Sequence, residues 1–145
     1  MNRAPRCVSS LRVTLLLLLA SSLTACATMQ NYLAQDSPRL LGSYAAGTAV
    51  DGTLRIVTFN VEQGRRVDRA IAGLRSHPSL AGADVVLLQE MDGPGVDEMA
   101  RALGMNFVYF PGSHDPKSGR DMGNAILSPW PIADARKLLL PHPSR

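Results

Sequence analysis

Two side chains combine oxygen-bearing chemistry with a placement that could hold a cation, Asn60 and Glu90. Each closes a short run rich in apolar or β-branched residues. One is Leu54-Arg55-Ile56-Val57-Thr58-Phe59-Asn60, the other Asp84-Val85-Val86-Leu87-Leu88-Gln89-Glu90. Such runs are strands, and in open α/β sheets ligands bind outside the carboxyl ends of the parallel strands. Parallel neighbours would bring both tips to one edge. A carboxylate assisted there by an amide suits a hard divalent cation, because magnesium takes oxygens from one or two carboxylates and keeps several waters. Spacing alone does not displace a plainer reading, in which Glu90 caps a strand and Asn60 opens a turn.

Other polar residues have structural readings beside their chemical ones. His114 and Asp115 sit together in a segment with Lys117, Arg120 and Asp121. Adjacent side chains of a loop seldom share a proton productively, so the pair is not read as catalytic; Lys117 and Arg120 are candidates for selecting an anionic substrate. Asp92 follows Glu90 closely and is placed to cap the next helix. His77 precedes a proline at a helix end and is expected to face solvent. Tyr109 could donate to a phosphate oxygen, although a strand aromatic is more often core.

The elements that must position these groups are legible from periodicity. Between the two strands, Arg65 to Ser76 places Val67, Ile71 and Leu74 on one helical face, and His77-Pro78 stops the helix. The second strand is apolar on both faces, as a buried central strand would be. Strand, helix and strand form one crossover unit with parallel neighbours. A second helix is expected from Pro94 to Leu103, with Val96, Met99 and Leu103 as its buried stripe and Gly104 as its stop. Asn106 to Phe110 reads as a third strand, Pro111 to Asp121 as a polar loop, and Gly123 to Ser128 as a fourth strand. Ile132 to Leu140 reads as a fifth, although Ala135 to Leu138 would also suit a helix. The class is α/β.

The chain has 145 residues, enough for at most one ordinary domain. Residues 1–25 read as a secretory signal: Arg3, Arg6 and Arg12, then an apolar run over Val13 to Ala20, then small residues. That run is too short to span a bilayer of roughly 30 Å. Leu23-Thr24-Ala25-Cys26 resembles a bacterial lipobox, with Cys26 the lipidated residue; the alternative is an ordinary small-residue cut beside a bystander cysteine. Ala27, where an aspartate would favour the inner membrane, points to the outer one. The expected address is therefore the bacterial cell envelope, with the membrane reached through the N-terminal lipid. Residues 26–53 show no sustained apolar period and read as a tether, packed on the domain at most in part. Three of the 15 basic residues lie in the signal, leaving 12 basic against 12 acidic residues. The formal charge of +3 thus disappears, and no basic face of the kind a dedicated DNA binder carries is visible.

The wording of three segments adds a family resemblance. Arg55-Ile56-Val57-Thr58-Phe59-Asn60-Val61, Val86-Leu87-Leu88-Gln89-Glu90-Met91-Asp92 and Gly123-Asn124-Ala125-Ile126-Leu127-Ser128-Pro129-Trp130-Pro131-Ile132 resemble, in order, three motifs of the endonuclease/exonuclease/phosphatase superfamily. The resemblance covers residues 54–145 and implies the N-terminal part of a DNase I-like four-layer α/β sandwich. It further implies a hydrolase of phosphoric esters that uses Mg2+ or Mn2+. Glu90 would hold the metal, and Asn60 would position that carboxylate or touch the phosphate. Asn124 is a candidate phosphate-side contact, with a strand-edge turn as its plainer role. The substrate class is a phosphoester, nucleic acid or lipid headgroup, and no protein partner is evident.

The family's later motifs supply a histidine–aspartate base, a Gly-Asp-x-Asn turn and a closing Ser-Asp-His. None follows Ile132, where the remaining histidine is His142. The sequence therefore reads as an incomplete domain, expected to fold poorly alone, to expose Val85 to Leu88 and to lack activity. Two other readings stay open: a non-catalytic, truncated or decayed envelope lipoprotein, and an unrelated α/β lipoprotein binding a small anion at the Asn60/Glu90 edge.

Overall fold

Alternation of buried and open positions along four main strands sets the architecture of the computed structural model, which describes residues 28–47 and 52–141. In chain order the strands are β1 (Gln30–Asn31), β2 (Leu40–Gly42), β3 (Ile56–Asn60), β4 (Val85–Met91), β5 (Asn106–Asp115) and β6 (Arg120–Ser128). The helices are α1 (Val67–Ser76), between β3 and β4, and α2 (Gly93–Leu103), between β4 and β5. One mixed sheet runs β1-β5-β6-β4-β3, with β2 also paired to β5. Strands β3 and β4 are parallel, Asn60 registering with Gln89, and the other pairings are antiparallel.

The helices form where their apolar stripes predict. Val67, Ala70, Ile71 and Leu74 are the buried face of α1. In α2, Val96, Met99 and Ala100 are buried, Pro94 lies in the first turn, and Gly104 at φ 63° ends the helix in the left-handed conformation. Both stripes join one core with Val57, Val86, Leu88, Met91, Phe107, Tyr109, Ala125 and Leu127 from one sheet face. The result is a sheet layer and a helix layer, which is part of the expected DNase I-like α/β sandwich.

The opposite sheet face is largely open. Ile56 and Ile126 stand 56% and 44% exposed there. The exposure expected of Val85 to Leu88 is corrected by strand alternation. Val86 and Leu88 point into the helix-covered core, and Val85 and Leu87 are partly buried.

Two further expectations change. Pro111 to Asp121 is not a loop: β5 runs on to Asp115 and pairs with β6 through His114–Asp121 and Asp115–Arg120, so a hairpin replaces it. Ile132 to Leu140 forms neither a strand nor a helix. The sheet edge beside β5 is already taken by β1 and β2, and the segment is tied down by side chains instead. Lys137 donates to the Tyr32 carbonyl (2.8 Å) and the Ser37 hydroxyl, and Arg39 donates to the Ala135 carbonyl (3.0 Å). Of the segment expected to be a tether, Gln30–Asn31 and Leu40–Gly42 are thus built into the sheet. Tyr44 and Ala45 also dock by donating their backbone N–H groups to the buried Asn106 Oδ1 (2.8 and 3.0 Å). The signal segment, Cys26 and His142 lie outside the described residues. Among the described residues no helix is long and apolar enough to cross a membrane.

Candidate functional site

Parallel pairing of β3 and β4 brings the two strand tips together, as the sequence reading required. Asn60 Nδ2 donates to Glu90 Oε1 at 2.9 Å, and Asn60 Oδ1 accepts the Glu62 backbone N–H, also at 2.9 Å. Both ends of the amide are therefore engaged, which makes Asn60 an orienting group for the Glu90 carboxylate. Both side chains are exposed.

Glu90 owes its position to a β-bulge. On β4, Leu88 registers with Ala125 and Met91 with Gly123, so β4 carries one residue more than β6 over that stretch. Glu90 takes φ 56°, a left-handed value that an L side chain adopts at a cost of about 1–2 kcal/mol. Bulges commonly re-aim side chains beside functional sites.

A second bulge faces the first across β6, between Pro111 and Ser113 on β5. Gly123 is squeezed between the two. A Cβ on it would sit 2.1 Å from the Phe110 carbonyl oxygen, so only glycine fits. The next residue, Asn124, is exposed and falls in register beside the bulge residues Gln89 and Glu90. Asn60, Glu90 and Asn124 thus form a row across β3, β4 and β6. Asn124 also borders a cleft of about 310 Å³ with Phe110, Ile126, Lys137 and Leu138.

The remaining polar residues sort cleanly. Asp92 caps α2 as expected, its Oδ1 accepting from the Gly95 N–H at 3.0 Å. His77 is exposed at the end of α1. Tyr109 is core, 1% exposed, and its hydroxyl donates to the Met91 carbonyl at 3.2 Å; burial pushes its pKa far up. His114 pairs with Asp121 across the hairpin (Nδ1–Oδ1 2.8 Å), with the Tyr32 hydroxyl donating to the same oxygen at 3.0 Å. Asp115 closes the hairpin turn by accepting from the Lys117 N–H and the Ser118 hydroxyl, and these bonds, the hydroxyl's first, hold its carboxyl below the usual range. Lys117 is exposed at that turn. Arg120 is not an available substrate-selecting cation: Nε and Nη2 donate to Asp92 Oδ2 at 3.0 and 2.8 Å.

Two features escaped sequence reading. Arg66 and Arg69, at the start of α1, are exposed and line an open cleft of about 260 Å³ with Phe59, Asn60 and Glu62. By type they look like the solvated face of a helix; their closeness in sequence to Asn60 is the signal that could have found them. The Asp92–Arg120 pair joins residues distant in sequence, and no local pattern announces it. Among the described residues no group of three or more His, Cys, Asp or Glu side chains forms a metal-holding cluster, so the edge offers one oriented carboxylate rather than a protein cage.

A protein-family model described as "Endonuclease/Exonuclease/phosphatase family" matches residues 57–144. No curated protein and no solved structure matches the chain.

Proposed function

Since the chain belongs to the endonuclease/exonuclease/phosphatase family, whose activity is phosphoester hydrolysis of the nuclease or phosphatase kind, we propose that it is a divalent-metal-dependent hydrolase held at the bacterial cell envelope by a lipid on Cys26. The observation that carries this reading is the Asn60–Glu90 hydrogen bond of 2.9 Å at the shared strand edge. The donor set fits magnesium or manganese, which bind through few carboxylates and keep their waters. Glu90 would hold the ion through its free carboxylate oxygen. When bound, such an ion supplies positive charge that polarises a phosphoryl oxygen.

The chain's own groups bind and orient. Asn60 fixes the rotation of the Glu90 carboxylate and draws the turn at Glu62 against the site. Arg66 and Arg69 offer cationic contacts to a phosphoester beside Asn60, and the Asn124 amide can donate to a phosphate oxygen from the other end of the row. The open sheet face, with Ile56 and Ile126 exposed, is read as the seat of a second layer that brings the general base. The lipid address favours nucleic acid outside the cell or a lipid headgroup over intracellular DNA repair.

The test is Glu90→Ala in the full-length protein, assayed on nucleic acid and on phospholipid headgroup substrates with Mg2+ and with chelator. Loss of Mg2+-dependent turnover with an unchanged circular dichroism spectrum is expected. Unaltered turnover removes Glu90 from the reaction and sinks the metal reading, whereas no turnover in the parent protein moves the reading to a non-catalytic envelope lipoprotein.

A further inference from the structure

The turn that follows Asn60 is backbone that should not hold its shape unaided. Glu62, Gln63 and Gly64 take φ values of 50°, 61° and 62° in succession, and non-glycine residues persist in that region only where their surroundings impose it. Two bonds do so. Asn60 Oδ1 holds the Glu62 N–H, and Arg120 Nη2 donates to the Gln63 carbonyl at 3.0 Å. The same Arg120 grips Asp92 through Nε and Nη2, and the Asp92 carboxylate is largely shielded, its side chain 14% exposed. Packing is tight, since a Cβ on Gly64 would lie 3.1 Å from Arg120 Nη2 and 3.4 Å from Asp92 Oδ1.

These contacts close a ring. Arg120 binds Gln63; Glu62 binds Asn60; Asn60 binds Glu90; two backbone steps lead from Glu90 to Asp92; and Asp92 returns to Arg120. Three strands contribute, and Arg120 is the member that bridges from the hairpin to both strand ends. We propose that Arg120, with Asp92 as its anchor, is a positioning residue that fixes the separation of Asn60 and Glu90 and thereby sets the affinity of Glu90 for a divalent cation. This rests on the metal reading of Glu90 given above. The guanidinium suits the task because its rigid fork serves a carboxylate and a carbonyl at once, whereas one lysine ammonium is a point charge on a flexible stem.

The experiment measures Mn2+ affinity of the full-length protein from the free-ion paramagnetic resonance signal, alongside amide hydrogen exchange at Glu62 and Gln63. Arg120→Met, which keeps the apolar stem, should weaken Mn2+ binding about tenfold, the lower end of what supporting shells contribute, and should speed exchange at Glu62. Arg120→Lys should fall between parent and Arg120→Met. Asp92→Asn retains an oxygen for the α2 cap, should act in the same direction, and should add little to Arg120→Met in the double variant. Glu90→Gln is the reference. If it loses Mn2+ while both Arg120 variants bind as the parent does, or if Glu62 exchange is unmoved, the ring role is wrong and the metal reading stands. If Glu90→Gln binds Mn2+ like the parent, or the parent binds none, the metal reading falls and the proposal with it.

Discussion

Whether Glu90 occupies a left-handed bulge can be decided by the sign of one difference. Glu90→Ala and Glu90→Gly both delete the carboxylate and the bond from Asn60, so those losses cancel when the two variants are compared. What remains is backbone. In an ordinary strand, alanine exceeds glycine by about 0.5–1 kcal/mol, because glycine loses more conformational freedom on folding. At φ 56°, alanine instead bears a left-handed cost of about 1–2 kcal/mol that glycine avoids. The order therefore inverts, with Glu90→Gly the more stable by about 0.5–1 kcal/mol once the entropy of glycine is subtracted. At roughly 4–8 °C per kcal/mol for a domain of this size, melting points should differ by about 2–8 °C. Thermal and urea unfolding of the full-length protein would measure this. A melting point for Glu90→Ala equal to or above that of Glu90→Gly would show an extended Glu90, and the bulge could no longer be what aims the carboxylate.

Gly123→Ala should be among the most damaging small substitutions. Its Cβ would meet the Phe110 carbonyl oxygen at 2.1 Å and the Pro111 Cα at 2.7 Å, backbone that cannot rotate away, so a loss of about 1–3 kcal/mol or more is expected in urea denaturation; a variant as stable as the parent would contradict the close strand approach. Asp97 gives a pH signature: the hydrogen bond from Arg101, then that from the Tyr44 hydroxyl, hold its carboxyl below its ordinary value of 3.8. A carboxyl depressed in the folded state stabilises above its unfolded pKa, and that contribution fades as pH falls through the folded pKa. Melting temperature should thus drop as pH falls below about 4, less steeply in Asp97→Asn, and parallel curves would refute the assignment.

The parallel β3–β4 pair and both helices were legible because each carries its own period: Val67, Ile71 and Leu74 repeat at helical spacing, and the two strand runs are continuous and apolar. That pairing brings the two strand ends together, but the contact of Asn60 with Glu90 also needs the bulge on β4, which no local period marks. The hairpin over Pro111 to Asp121 was hidden by its composition. Proline, glycine, serine and charge read as loop, yet the ladder between His114 and Asp121 needs only backbone groups. Strands β1 and β2 are two and three residues long and exist through pairing with β5, so no local period marks them. Conversely, Ile132 to Leu140 has strand-like side chains but no free sheet edge to join, and tertiary supply of partners overrides propensity. Arg120 read as a surface cation because its partner, Asp92, is fixed only once three strands are assembled.

The bulge itself follows from a contest between two costs. Uninterrupted alternation along β4 would send Leu88 inward, Gln89 outward, Glu90 inward and Met91 outward. That register would turn a carboxylate into the helix-covered core that now holds Leu88 and Met91, both 0% exposed, at an effective cost of several kcal/mol without a partner, and would also expose a methionine. One extra residue with a left-handed φ costs about 1–2 kcal/mol. It turns Glu90 out beside Asn60 and returns Met91 to the core, where it is 0% exposed. The smaller strain wins, so the apolar residues on either side of Glu90 compel the carboxylate to the sheet edge. The motif Leu88-Gln89-Glu90-Met91 works as a unit: exchanging Met91 for a polar residue would remove the inward pull that makes the bulge the better register.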